Sequence, residues 1–159
     1  MRGFKQQIPD EEAKEILRTA TNGVLCLTDY DERPYGVPMS FVYDGENSIY
    51  FHSALSGRKI ECIKHNPNAC FTIIDRDDIH PEEFTTYFRS VIVEGVIKII
   101  EDRNKMIDAL RLLSTKYSPG FDCEPEIVKG IDRVKILKLE IDSITGKEAI
   151  EFMRKRNNL

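Results

Sequence analysis

Ser48-Ile-Tyr-Phe-His-Ser-Ala-Leu-Ser-Gly-Arg-Lys59 is the stretch on which the fold turns. Ile49, Tyr50 and Phe51 favour a strand, and a period of two puts His52 on the face of Tyr50, opposite Ile49 and Phe51. The strand breaks through Ser53 to Gly57 and hands over to Arg58 and Lys59. These open a helix over 57–65 with Ile60 and Ile63 inward, stopped by Asn66-Pro67. Small residues let backbone N–H groups approach a ligand, and a helix start carries positive potential. Lone cations are unfavourable at that end, so Arg58 and Lys59 side by side make sense with an anion between them and the N–H groups. The segment reads as a phosphate seat, with Ser53 and Ser56 as further hydroxyl donors. Two solvated surface cations are the competing reading.

Just upstream, Tyr35 to Tyr43 alternates, with Tyr35, Val37, Met39, Phe41 and Tyr43 on one face, and Asp44-Gly45 signals a hairpin into the 48–53 strand. Pro38 interrupts that alternation and has no N–H to give a ladder, so it belongs at an edge or a bulge. Neighbouring backbone groups are then free for a flat polar ligand, though a plain edge strand explains the proline equally well. His52, at the mouth of the anion loop, is placed either for ligand contact and proton donation or as an ordinary half-buried strand-end histidine.

Working outward, Pro9 and Asp10 open a helix with Ala13, Ile16, Leu17 and Ala20 at helical spacing, and Val24 to Thr28 is a strand. Ala69 to Asp75 is nearly continuous in apolar residues, which predicts burial on both faces; residues 76–84, acidic and containing Pro81, read as a loop. Thr85 to Glu101 is a long strand with Gly95 as a bulge or bend. In it Ser90, Ile92 and Glu94 share one face, suited to a polar pocket, a subunit interface or plain exposure, against Val91 and Val93 on the other. Arg103 to Tyr117 is a helix with an apolar stripe of Met106, Leu110, Leu113 and Tyr117. Residues 118–132 form a loop or short helix, Val134 to Ile141 a strand, Thr145-Gly146-Lys147 a turn, and a short helix ends the chain. The sum is six strands and about four helices, linked largely by hairpins with no βαβ repeat. That predicts a mostly β fold with flanking helices, a small antiparallel barrel in a single domain spanning residues 1–159.

The chain has 159 residues, 31% of them charged, with a formal net charge of −4 and a pI near 5.5. The acidic balance argues against a nucleic-acid or anionic-membrane partner and suits a local basic pocket for a small anion. The N-terminal stretch Met1 to Ile8 has no signal-peptide run and no window reaches membrane-span length, so a cytoplasmic location is expected. The four cysteines, Cys26, Cys62, Cys70 and Cys123, show no C-x-x-C or zinc spacing and read as reduced thiols. His52, His65 and His80 are too scattered for a metal site, and none is expected.

Taken in order and spacing, Tyr35-Gly-Val-Pro-Met-Ser-Phe41, Tyr50 to Lys59, Ser90-Val-Ile-Val-Glu-Gly95 and Thr145-Gly-Lys147 resemble the pyridoxamine 5'-phosphate oxidase-like FMN-binding split barrels. Within them the nitroimidazole-resistance (Nim) branch is most similar. The resemblance implies an antiparallel six-stranded split β-barrel, forming a homodimer with FMN at the subunit interface. It implies that Val37, Pro38, Met39 and Ser40 lie beside the flavin ring and that His52, Ser53, Arg58 and Lys59 hold the ribityl phosphate. Ser90 and Val91 would approach from the partner subunit or pack at the interface, and Lys147 would sit near the flavin. His52 matches a histidine that in the Nim branch lies at the substrate position. The chain has no tryptophan, so the C-terminal aromatic lid of some pyridoxamine phosphate oxidases is missing.

The function implied is an FMN-dependent oxidoreductase. It would reduce a small, nitroaromatic-type substrate with His52 as proton donor and electrons from a nicotinamide donor. No G-x-G-x-x-G follows a strand, so that donor would visit transiently. The alternatives are a non-catalytic flavin or haem carrier or sensor, with His52 as axial ligand in the haem case, and a pyridoxamine 5'-phosphate oxidase-type activity.

Overall fold

The computed structural model describes residues 6–157. Helix α1 (Asp10–Thr19) follows Pro9, carries Asp10, Glu11 and Glu12 in its first turn, and buries Ala13, Ile16 and Leu17. Then come β1 (Gly23–Thr28), β2 (Pro34–Met39), β3 (Val42–Tyr43), β4 (Ser48–Ala54) and α2 (Arg58–His65). The chain continues through β5 (Asn68–His80), β6 (Thr85–Ile100), α3 (Arg103–Tyr117), α4 (Glu124–Gly130), β7 (Val134–Glu148) and α5 (Ile150–Asn157). No helix among the described residues is long and apolar enough to cross a membrane.

All strands among the described residues lie in one antiparallel sheet of seven, in the order β2-β1-β5-β6-β7-β4-β3. The two edge strands, β2 and β3, are consecutive in the chain and separated only by Ser40 and Phe41. In a flat sheet, inter-strand spacings of about 4.8 Å would hold those edges roughly 29 Å apart, far beyond the reach of two residues. The sheet therefore curls until its edges meet at a corner, which is the split barrel that the resemblance implies, with seven strands where six are expected. Phe41, fully buried, fills that corner edge-on to Phe71 at 4.8 Å, and Phe51 meets Phe71 at 5.1 Å. The hydroxyl of Tyr117, at the end of α3, clamps it. Phe41 N–H donates to that oxygen (2.8 Å), and the hydroxyl proton can go to the carbonyl of Thr21 (2.5 Å) or of Phe41 (2.9 Å).

The structure departs from the sequence-based expectations in four places. The strand expected over 35–43 is two strands, because at Ser40–Phe41 the chain leaves β1 and joins β4, and Tyr117 takes the backbone groups that no ladder satisfies. Residues 76–84 are not a loop: β5 runs to His80, pairing Arg76 with Arg89 and His80 with Thr85, and a 3-10 turn at Pro81–Glu83 closes the ribbon. A two-stranded ribbon can be solvated on both faces, so its charges do not argue against strand. Residues 145–147 are not a turn, since β7 continues to Glu148. Gly146 is there because a side chain would collide with Ile8. Lastly, β5 is buried on one face only. Ala69, Phe71 and Ile73 point into the core, while Ile74 is 70% exposed. The expected irregularity at Gly95 is present as a register shift between Glu94 and Gly95.

Candidate functional site

The junction of β4 and α2 is built as its sequence suggests. Ile49 and Phe51 are fully buried while His52 on the opposite face is exposed, and Ser53 returns inward. Gly57 then takes φ +130°, a region that disfavours side chains, and an added Cβ there would meet open space. Helix α2 starts at the next residue with no side chain among the described residues capping its N–H groups. A row of donors is thus left facing the opening.

The two cations that follow are not equivalent. The Arg58 guanidinium donates to Asp29 Oδ2 at 2.7 Å and lies 4.4 Å over the Tyr35 ring. The hydrogen bond to Asp29 raises the arginine pKa further. Asp29 is itself fixed in the β1–β2 turn, where its Oδ1 accepts the N–H groups of Asp31 (3.0 Å) and Arg33 (2.9 Å). The backbone bond from Arg33, then the bond from Arg58, hold its carboxyl below the ordinary aspartate pKa. Lys59 is different. It is half-buried, desolvation lowers its pKa, and its ammonium lies 3.3 Å from the Met39 sulfur with no ion-pair partner among the described residues. Sequence reasoning missed Asp29, since three acidic side chains in that turn are equally available to a cation.

Pro38 does lie in an edge strand: β2 pairs only with β1, with Pro38 opposite Val24. Val37 is half-buried, Met39 buried and Ser40 exposed. A cavity of about 290 Å³ opens where the end of β2 meets β4 and α3, lined by Ser40, His52, Leu110, Leu113, Tyr117 and Ser118. Met39, Ser40, His52 and Lys59 are therefore gathered at one end of the barrel. The α3 residues read from sequence as a core stripe; three of them, Leu110, Leu113 and Tyr117, also wall this cavity. The one sequence signal for this was a tyrosine ending an apolar stripe, whose hydroxyl must find partners.

Ser90, Val91 and Lys147 lie elsewhere. Ser90 and Lys147 face each other across β6 and β7, both half-buried, and the Lys147 ammonium sits 5.7 Å from the Phe88 ring centroid. Val91 has no exposed surface and points into the core. His52 pairs with Ile136 on β7, whereas Lys147 lies near the other end of that strand, roughly 36 Å further along if fully extended. A single chain does not bring these residues to the His52 end. His80, Glu82 and Glu83 place ligand atoms within 4.8 Å of one another at the ribbon tip. Their contacts are already internal: His80 stacks on Tyr87 (3.8 Å), whose hydroxyl donates to Glu83 (2.7 Å).

Solved structures share this architecture. A proposed 5-nitroimidazole antibiotic resistance protein from Bacteroides thetaiotaomicron superposes with a TM-score of 0.75 at 28% identity, over 89% of this chain and 86% of that one. A flavocytochrome from Azotobacter vinelandii gives 0.78 at 22% identity, over 94% of this chain and 72% of that one. A FAD and haem binding protein from Mycobacterium smegmatis gives 0.75 at 19% identity, over 91% of this chain and 73% of that one. The last two bear on the fold alone. No curated protein matches the chain. The edge-strand proline, the bend at Gly57 and the strand carrying Gly146 all fall within residues 9–148, which match the profile of the pyridoxamine 5'-phosphate oxidase family, and it is to this family that the chain belongs.

Proposed function

We propose that the chain is an FMN-binding oxidoreductase that works as a homodimer and reduces a small substrate beside His52, with electrons from a nicotinamide donor. The observation that carries this reading is Lys59. A half-buried ammonium without a carboxylate, set at an uncapped helix start behind a glycine bend, fits a phosphate and is otherwise an uncompensated cost. Family membership and the flavin-binding proteins that share the fold support it.

A bound flavin supplies the electron chemistry. The protein's own residues hold and orient it. Lys59 and the first N–H groups of α2 take the phosphate, with the Ser53 hydroxyl in reserve. The unpaired backbone edge of β2 at Val37 to Ser40 offers hydrogen bonds to a flat polar ring. His52, on the wall of the neighbouring cavity, holds a proton at its imidazole for the substrate. The outer sheet face exposes Val24 (37%), Ile74 (70%) and Ile92 (41%) in adjoining rows across β1, β5 and β6. This is an apolar patch suited to a second copy. Pairing through it would give Ser90 and Lys147 a route to the other subunit's site.

The test is spectroscopic first. Purified protein titrated with FMN is expected to quench flavin fluorescence saturably and to elute as a dimer. His52→Ala should keep the flavin and lose turnover of a nitroaromatic substrate with NADH or NADPH, measured against free FMN. Loss of flavin from that variant would make His52 a cofactor ligand instead. A Soret band with no flavin absorption would turn the reading to haem, and turnover no faster than free FMN would turn it to a carrier.

A further inference from the structure

The cavity beside His52 is one of three hollows that meet on helix α3. A second, of about 180 Å³, lies between α3 and α4 with Cys123 and Ile127 in its wall. A third, of about 370 Å³, opens among Ser118, Phe121, Cys123 and Glu126. All three share Ser114, the first two share Leu110, and the first and third share Ser118. Spacing of four places Leu110 and Ser114 on one stripe of the helix, and Ser118 follows as the residue that caps its C-terminal end. That stripe is the divide between the His52 side and the α4 side. Two of these three shared residues are serines, whose short side chains raise little barrier between the adjoining hollows, together called the trough below.

The charges of the trough are one-sided. Among the described residues, no lysine or arginine lines any of the three hollows, in contrast to the seat at Lys59. Its anionic groups, Asp122 and Glu126, lie at the far side from His52. Glu126 pairs with Lys129 at 3.1 Å, but both side chains are largely exposed, and such pairs hold a carboxylate weakly. Between the two ends the walls are apolar, with the Ser114 and Ser118 hydroxyls at the crossing.

We propose that the trough is a substrate channel for an elongated, apolar small molecule carrying a positive charge at one end. Its reacting end lies at His52, its body crosses Ser114 and Ser118, and its cationic end faces Glu126 and Asp122. Which end reacts rests on the flavin reading above; the binding of the cation does not. Anionic substrates, phosphorylated ones included, find no counter-charge along this route.

Cys123 reports occupancy without any flavin, because it lines both the second and the third hollow. Flavin-free protein is alkylated with N-ethylmaleimide and each cysteine is read by peptide mass spectrometry. The reaction is run with 4-phenylbutyltrimethylammonium or with 4-phenylbutylsulfonate, which carry the same apolar body and opposite charges. The ammonium compound is expected to slow Cys123 alkylation at concentrations about tenfold below those the sulfonate needs. Cys26 and Cys70, on the outer sheet face, should not respond. Glu126→Gln, a change at the surface, should shrink the difference to about twofold, and Ser114→Trp with an unchanged circular dichroism spectrum should abolish protection. Equal protection by the two probes, or none from the ammonium compound at millimolar concentration, overturns the channel while leaving the phosphate seat untouched. A failed FMN titration removes the flavin reading and leaves this result standing.

Discussion

Lys59 and Lys116 place the same chemical group in two regions of one barrel, and the difference shows when a buried cation marks a ligand. Both ammonium groups are withdrawn from water, neither has an ion-pair partner among the described residues, and burial lowers the pKa of both. Lys116, on α3, sits 3.9 Å over the Phe41 ring with its nitrogen buried and without a hydrogen-bond partner, and its pKa is pushed down to about 8. Aromatic rings compensate it, Phe41 closely and Tyr117 at 5.6 Å, in a space already filled by the barrel corner. Lys59 has only a thioether against it, beside the opening at Gly57 and the uncapped start of α2. An unpaired buried charge costs stability in both places. It points to a ligand only where there is room for one and other donors converge.

The sharpest way to break this comparison is to remove each ammonium and measure FMN affinity by fluorescence. Lys59→Ala should weaken binding by about 1.5–3 kcal/mol, roughly ten- to a hundredfold, because it deletes a charge-assisted phosphate contact. Lys116→Met should leave the affinity within about twofold, since nothing places that nitrogen at the seat. Equal losses from the two variants would mean that the contrast drawn here is false.

Stability should separate the lysines in the opposite sense. The folded protein holds Lys116 near pKa 8 against 10.5 for an ordinary lysine, so between those pH values the unfolded chain binds more protons. Stability should therefore rise as pH increases through that window, and below it the penalty of the charged form is present in full. Lys116→Met keeps the stem over Phe41 and removes the charge. After allowance for partial solvation, it is expected to gain about 1–2 kcal/mol at pH 7 and to lose that rise, in urea denaturation at pH 7 and pH 9.5. A variant less stable at pH 7 than the parent would show that the ammonium is compensated by the ring.

How much of this was legible beforehand depended on whether the signal was local. The inward face of β4, the stop at Pro67 and the edge position of Pro38 follow from side-chain period and a missing N–H, both contained within a few residues. Gly57 and Gly146 carry the same letter and were read alike. Only the first needs an unusual φ; the second makes room for Ile8, a contact no local window holds. The first arm of the ribbon, 76–80, left no buried-face signal, because Arg76 to Ile79 are all exposed to water, whereas its second arm from Thr85 reads as strand. Tyr117 counted as one more stripe residue, although its hydroxyl holds the corner where the sheet closes. At the seat, two adjacent cations looked interchangeable until the fold brought Asp29 to one of them.

That last pairing gives the smallest and most discriminating test. Asp29→Asn keeps the Oδ1 acceptor that orders the β1–β2 turn and removes the charge that holds Arg58. A freed guanidinium next to an anion seat should turn toward a bound phosphate, tightening FMN by roughly threefold at low salt and less at high salt, where exposed charges are screened. In the double variant with Lys59→Ala, Arg58 should recover part of the lost affinity. If Asp29→Asn leaves FMN binding unchanged in both backgrounds, Arg58 is a strut between the turn and the Tyr35 ring. The seat then depends on Lys59 and the helix N–H groups alone.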